Sequence, residues 1–318
     1  MNQTTARPRV IQFGLGPIGV GIAQVALEHG YQLVGAVDID PEKAGRPLSE
    51  FVPGAPAVVV ERTIDPLLNA GADVVLHSTQ SRMEQVVPQI VPLLDAGLNV
   101  ISTCEELAYP WHHHPKEATL LDELARRRGG RVIGLGVNPG FVMDALPVVL
   151  TAPCRHVDRI AVERVVDAGQ RREPLQRKVG VGLTVEAFRR GVDEGTIGHV
   201  GLPQSAAMVA RALGWRLERI EETVEPEADR TGRVTGLHQV CRAYSDGDAR
   251  ITLDLTMATG VGRGRDVIRI DGIPPITVVI DGGIHGDIAT WAVLVNAIPR
   301  VLAAPPGLLV ATQLPPAT

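Results

Sequence analysis

Gly14-Leu15-Gly16-Pro17-Ile18-Gly19 is a G-x-G-x-x-G run between the apolar segment RVIQF and an amphipathic stretch. In a strand-turn-helix setting the glycines have separate uses. Gly14 permits a tight turn, Gly16 leaves room for a pyrophosphate, and Gly19 lets the helix approach the sheet. Pro17 and Ile18 open that helix, whose first backbone N–H groups face the anion. A plain strand-to-helix turn would use the same glycines. What favours a ligand is Asp38, 24 residues after Gly14 at the end of the second apolar run, against roughly 20 for a ribose-binding acid. Asp38 would accept hydrogen bonds from the ribose hydroxyls and repel a 2′-phosphate, which favours NAD over NADP. Lys43 and Arg46 follow closely and could pair with that phosphate if turned inward. Solvated loop cations are the plainer alternative.

In an open α/β sheet, ligands bind outside the carboxyl ends of the strands. Three apolar runs end there in polar clusters: His77-Ser78-Thr79-Gln80, Ser102-Thr103-Cys104-Glu105-Glu106 and Asn138-Pro139-Gly140-Phe141. Singly, each reads as a loop or helix cap, because Ser, Thr and Asn satisfy orphan backbone groups. Together they converge on the nicotinamide end of a dinucleotide, with Ser78, Thr79, Thr103, Cys104 and Asn138 as cofactor contacts. A carboxylate beside a hydride carrier can hold a cationic amine or iminium and move a proton. Glu105 and Glu106 both qualify, and either could instead be a solvated acid in a first helical turn. Adjacent residues on an irregular turn should divide, one facing the site and one facing solvent. These residue types leave open which.

The elements that must carry these residues follow from periodicity. Residues 9–138 predict strands over 9–13, 32–37, 57–60, 73–77, 98–102 and 131–136, with helices over 17–29, 82–96 and 116–128. That is the pattern of a Rossmann doubly wound parallel sheet. Longer alternating segments, 157–167, 217–224, 232–245 and 248–258, predict a mainly antiparallel sheet, with Ser245-Asp246-Gly247-Asp248 as a hairpin turn and helices over 183–192 and 202–213. The fold class is therefore α/β with a second α+β domain. A dinucleotide-binding domain spans 1–141, with 286–318 returning to it through a helix over 286–303. A substrate and oligomerisation domain spans 142–285. The end, PPGLLVATQLPPAT, reads as an irregular tail.

With 318 residues, 45% apolar and a net charge of -5, the chain has ample core without disulfides or metal. Its charge argues against nucleic acid, which needs a clustered basic face. Three scattered cysteines form no framework and fit reduced thiols in a cytoplasm. No signal peptide or membrane span is read, and a homodimer is the expected assembly. His112-His113-His114 reads as a solvated loop and not as a metal site. Asp287 reads as a helix N-cap next to His285. The pairs Arg171, Arg172 and Arg189, Arg190 read as solvated faces.

GLGPIGVGIA with VDIDPEKAG, STCEELAYP, GVNPGF and HGDIATWAVLVNAIPRVLAAPPGLL together resemble the 2,4-diaminopentanoate dehydrogenases and their relatives, the native amine dehydrogenases. These belong to the group whose amino-terminal domain is like that of dihydrodipicolinate reductase. The likeness is looser over about 150–280. It implies reversible NAD- or NADP-dependent oxidative deamination of a small primary amine, or reductive amination of an aliphatic ketone or aldehyde with ammonia. The family's amine-contacting carboxylate carries over to Glu105, with Glu106 in reserve, while Phe141 would wall the pocket and Thr290 would face it. Two rivals remain: a reductase of an alcohol or semialdehyde, as in the similar homoserine dehydrogenases, which place a lysine where Glu105 stands, and a non-catalytic dinucleotide sensor.

Overall fold

Short β-branched runs become strands where both faces are covered, as all four residues of the run VVLH are. The computed structural model describes residues 7–170 and 173–315. Its first elements are β1 (Arg9–Phe13), α1 (Pro17–Glu28), β2 (Gln32–Val37), β3 (Val60–Glu61), β4 (Val74–His77), α2 (Met83–Asp95), β5 (Asn99–Ser102), α3 (Pro115–Arg128) and β6 (Arg131–Gly134). There follow α4 (Ala145–Leu150), β7 (His156–Asp167), α5 (Glu173–Lys178), α6 (Val185–Asp193), α7 (Leu202–Ala212), β8 (Arg219–Ala228), β9 (Val234–Ser245), β10 (Asp248–Ala258), β11 (Arg265–Ile273) and β12 (Ile276–Asp281). The chain closes with α8 (Gly286–Ala303) and β13 (Gly307–Leu309). The described residues up to Phe141 and from Gly286 onward form one compact unit, and Val142–His285 form another.

The first unit is a seven-stranded sheet in the order β13-β6-β5-β4-β1-β2-β3, parallel at every pairing. Strand order reverses at β1, which lies between β4 and β2, and this switch point opens the crevice where such sheets take ligands. Val37, Phe13, His77, Ser102 and Gly134 are successive register partners. Five strands therefore end on one rung, and the loops after them leave from a common level. Helix α8 packs on α1 and β5.

The second unit is a six-stranded sheet in the order β12-β11-β7-β10-β9-β8, antiparallel except where β7 meets β10. Strand β10 buries Ile251, Leu253, Leu255 and Met257, the period of two expected of a one-faced strand. Helix α7 covers that sheet at β9 and β10. The turn between β9 and β10 is the expected one, with Asp246 at φ 54° and Gly247 at φ 80°, both in the left-handed region that a two-residue hairpin needs.

Several boundaries differ from the periodicity. The carboxyl-terminal stretch is no irregular tail. Gly307–Leu309 pairs with β6 as the seventh strand, and Leu308 N–H donates to Asp122 Oδ1 at 2.8 Å. Three residues are too few to show a period. Strands β11 and β12 were not expected because Pro274 and Pro275 interrupt an alternation that resumes on either side. The third strand, expected over 57–60, is Val60–Glu61, so only Val60 is shared. Asp287 lies inside the first turn of α8, not at its cap, where its charge complements the helix dipole. Arg189 and Arg190 are exposed on α6, whereas Arg171 and Arg172 lie outside the described residues. No described helix is long and apolar enough to cross a membrane.

One buried ion pair fixes the exit from the second unit. Arg164 and Asp266 are 3% and 1% exposed and 2.7 Å apart, and they hold Ile284 by its carbonyl and its N–H, each at 2.7 Å. Removing one member strands a buried charge, so Asp266→Ala should lower stability by about 3–5 kcal/mol. Breaking the exposed Arg177–Glu173 pair should cost under about 1 kcal/mol. Denaturant midpoints of the two variants check the contrast.

Candidate functional site

The turn after β1 is built around its glycines. Gly14 stands at φ 93°, where a Cβ would come within 2.4 Å of the Ser78 carbonyl oxygen. A Cβ at Gly19 would meet the Gly14 carbonyl oxygen at 1.9 Å. Gly16 is the opposite case: a Cβ there would meet nothing within 4 Å. Its hydrogen borders open space at the head of α1, a helix with no acidic residue in its first turn and Pro17 at its start. That is room for an anion beside unused N–H groups. Gln12, wholly buried on β1, braces the turn by donating to Gly14 O and Ser78 Oγ, each at 2.9 Å, and Ser78 Oγ donates to Gly14 O at 3.1 Å. A lone amide in an apolar strand was the sequence signal for Gln12, and it was overlooked.

Asp38 closes the other side of the turn. Its Oδ2 accepts the Leu15 N–H at 2.6 Å and its Oδ1 the Asp40 N–H at 2.9 Å. Lys43 Nζ lies 3.5 Å from Asp38 and 3.2 Å from Asp40. Arg46 is engaged elsewhere, on Glu50 and the Glu42 carbonyl. Of the two loop cations, only Lys43 stands beside the candidate ribose acid.

At the ends of β4 and β5, Thr79, Thr103 and Glu105 are half-buried and Cys104 and Glu106 are buried. Thr103 N–H donates to His77 O at 2.9 Å, which ties the two strand ends together. The Cys104 side chain is 1% exposed and its thiol donates to Ser81 O at 3.2 Å. Burial, with the charge of Glu105 next, raises its pKa and keeps it a thiol, so only its backbone remains for a cofactor.

The two glutamates are not equivalent. Glu106 is 6% exposed, accepts the Met83 N–H at 2.7 Å and the Arg82 guanidinium at 3.0 Å, and lies 3.2 Å from His114 Nε2. It caps the start of α2 and is spent on structure. Its carboxylate is buried, not turned to solvent as one of the pair was expected to be. Glu105 precedes the 3-10 turn Glu106–Ala108, and that turn passes so close to β6 that a Cβ at Gly134 would lie 2.4 Å from the Ala108 nitrogen. Glu105 itself is half-buried, at the carboxyl end of β5. The histidine loop is likewise divided. His112 and His113 are exposed, while His114 reaches Glu106.

After β6, Asn138 is 8% exposed, and both atoms of its amide are buried without a hydrogen-bond partner. An orphaned buried amide costs about 1–3 kcal/mol per unsatisfied group unless a ligand completes it. Phe141 is half-buried at the end of this loop. Thr290 Oγ1 accepts the Val137 N–H at 3.2 Å, so its hydroxyl ties α8 to the loop. Among the described residues no group of three or more His, Cys, Asp or Glu side chains is arranged to hold a metal ion. Open space at Gly16, the acid at the end of β2 and the unpaired amide of Asn138 together fit a nicotinamide dinucleotide.

The family model of the 2,4-diaminopentanoate dehydrogenase C-terminal domain matches residues 141–318. A 2,4-diaminopentanoate dehydrogenase of Acetoanaerobium sticklandii is 34% identical over 96% of this chain and 93% of its own length. An amine dehydrogenase of Streptomyces virginiae is 24% identical over 96% of this chain and 95% of its own. In fold, the chain matches the structure of an amine dehydrogenase from Mycobacterium smegmatis with a TM-score of 0.88 at 22% identity, covering 100% of this chain and 98% of the other. With a family model over more than half its residues and a relative of that identity along nearly its whole length, the chain belongs to the 2,4-diaminopentanoate dehydrogenase family and is an NAD(P)-dependent oxidoreductase acting on amines.

Proposed function

We propose that the chain catalyses the reversible oxidative deamination of a small primary amine, which in reverse is reductive amination of an aliphatic ketone or aldehyde with ammonia. The observation that carries this reading is the likeness along nearly the whole chain to a 2,4-diaminopentanoate dehydrogenase, together with a half-buried carboxylate, Glu105, at the carboxyl end of β5 beside the buried Glu106. Bound at the crevice, the dinucleotide supplies or accepts the hydride. Gly16, Pro17, Ile18 and the head of α1 hold its pyrophosphate, Asp38 its ribose, and Ser78, Thr79, Thr103 and Asn138 its nicotinamide end. Glu105 takes the proton of the substrate ammonium, passes it to solvent, and then, ionised again, stabilises the iminium formed as hydride leaves carbon. Phe141 and aliphatic side chains keep the reacting carbon dry.

Charge decides against plain carbonyl reduction. An iminium is attracted to a carboxylate in a water-poor pocket, whereas the alkoxide that develops in ketone reduction is repelled by it. The geometry at Asp38 supports NAD as the preferred dinucleotide, and Lys43 at 3.5 Å supports tolerance of NADP. We assign the first unit to the dinucleotide, and Val142–His285 to substrate selection and self-association as a homodimer. Three free cysteines, two of them buried, support a cytoplasmic setting.

The test follows NAD reduction with 2,4-diaminopentanoate and a series of small primary amines. Glu105→Gln should lower kcat by roughly a hundredfold or more with NADH affinity kept, while Glu106→Gln should lower chiefly the melting temperature. An active Glu105→Gln overturns the assignment. Gly16→Val, which fills open space, should abolish NADH binding in a fluorescence titration without loss of stability. Lys43→Ala should raise the NAD to NADP ratio of kcat/KM several-fold, and an unchanged ratio would remove Lys43 from cofactor choice.

A further inference from the structure

A polar pair on the last rung of the first sheet is not used by this chemistry. His77 and Ser102 are register partners, both fully buried, with His77 Nδ1 2.9 Å from Ser102 Oγ. Across the ring, Nε2 lies 2.9 Å from Gln89 Oε1 and 3.2 Å from Thr79 Oγ1. The edge of the imidazole meets the ring of Phe13, its neighbour on the same rung, at a centroid distance of 5.1 Å.

The partners fix the proton. Gln89 Nε2 donates to Gln85 O at 3.0 Å, so the Gln89 atom facing the imidazole is an acceptor and His77 Nε2 carries the hydrogen. Nδ1 is then an acceptor, and the Ser102 hydroxyl donates to it. That orientation turns the oxygen lone pairs of Ser102 toward the Cys104 N–H, at 3.1 Å. On the other side, the Thr79 hydroxyl donates to Gln89 Oε1 at 2.9 Å. Burial pushes the pKa of His77 down to about 4, which keeps the imidazole neutral and this arrangement intact near neutral pH.

Cys104 is the residue immediately before Glu105. We propose that His77 is a positioning residue for the amine chemistry: through Ser102 it fixes the Cys104 amide and thereby the turn that carries Glu105, and through Gln89 it fixes the Thr79 hydroxyl on the facing turn. The proposal rests on Glu105 being the catalytic carboxylate. Without the imidazole the turn stays attached, because the Thr103 N–H bond to the His77 carbonyl and the Glu106 cluster do not involve the ring. What is lost is aim. Displacement of a reacting group by an ångström costs up to about a hundredfold in rate.

His77→Phe keeps a ring against Phe13 and removes both nitrogens, whereas His77→Asn restores an acceptor near the position of Nδ1. Three readouts separate positioning from bulk stability: kcat with the most rapidly turned-over amine of the series above, Kd for NADH by fluorescence titration, and melting temperature. His77→Phe should lose roughly tenfold or more in kcat with Kd for NADH held within about twofold. His77→Asn should regain most of that kcat while melting no higher than His77→Phe. Ser102→Ala should match His77→Phe, and the double variant should lose no more than either single one. The proposal is overturned by a His77→Phe protein with full kcat, by kcat that merely follows melting temperature, or by an asparagine variant no better than phenylalanine. If His77→Phe does not fold, Ser102→Ala decides: reduced kcat with NADH affinity kept supports the proposal, and unchanged kcat overturns it. An inactive Glu105→Gln beside a fully active His77→Phe removes the positioning role alone, while an active Glu105→Gln removes the catalytic assignment beneath it.

Discussion

Everything at the site depends on one register: the strands of the first sheet stop together. Val37, Phe13, His77, Ser102 and Gly134 stand side by side on the last rung, so the next residue of each chain segment enters the same crevice. Parallel strands cannot be joined by tight turns, and each returning helix leaves its own loop at this edge. Two of those loops touch their neighbours at backbone distance. The turn at Gly14 meets the carbonyl of Ser78, and the turn after Glu105 passes over Gly134. Side chains at either glycine would push the loops apart.

Within that frame, burial assigns unequal work to chemically identical groups. Of the two adjacent carboxylates that follow β5, Glu106 is buried against a helix start, an arginine and a histidine, and Glu105 is half-buried. A buried carboxylate with two donors and an imidazole beside it is well solvated by protein and has little left to offer a substrate. Holding Glu106 in place anchors the turn that follows Glu105. The same economy applies to Ser78 and Thr290, whose hydroxyls are spent on backbone groups.

Much of this was legible in the sequence because it rests on local chemistry. The glycine turn, the acid at the end of β2 and the polar residues after β4, β5 and β6 each follow a strand whose apolar run is unmistakable. The parallel and mainly antiparallel sheets were legible for the same reason. What escaped notice is non-local or short. His114 lies eight positions after Glu106 in what reads as a polar loop, and only the path of the chain brings them together. Gln12 looks like a blemish in an apolar strand, and His77 like one more polar residue of a strand-end cluster, until their partners 66 and 25 residues away are seen. Strand β13 is too short for periodicity, and the prolines at 274 and 275 hide β11 and β12.

In the proposed chemistry, a carboxylate at this edge makes the site one for nitrogen and not for oxygen. The most direct measurement is NADH oxidation by the purified protein over a panel of short aliphatic aldehydes and ketones, each with and without a high concentration of ammonium. Turnover should appear only with ammonium and give the primary amine. Equal turnover without ammonium, giving the alcohol, would contradict that chemistry.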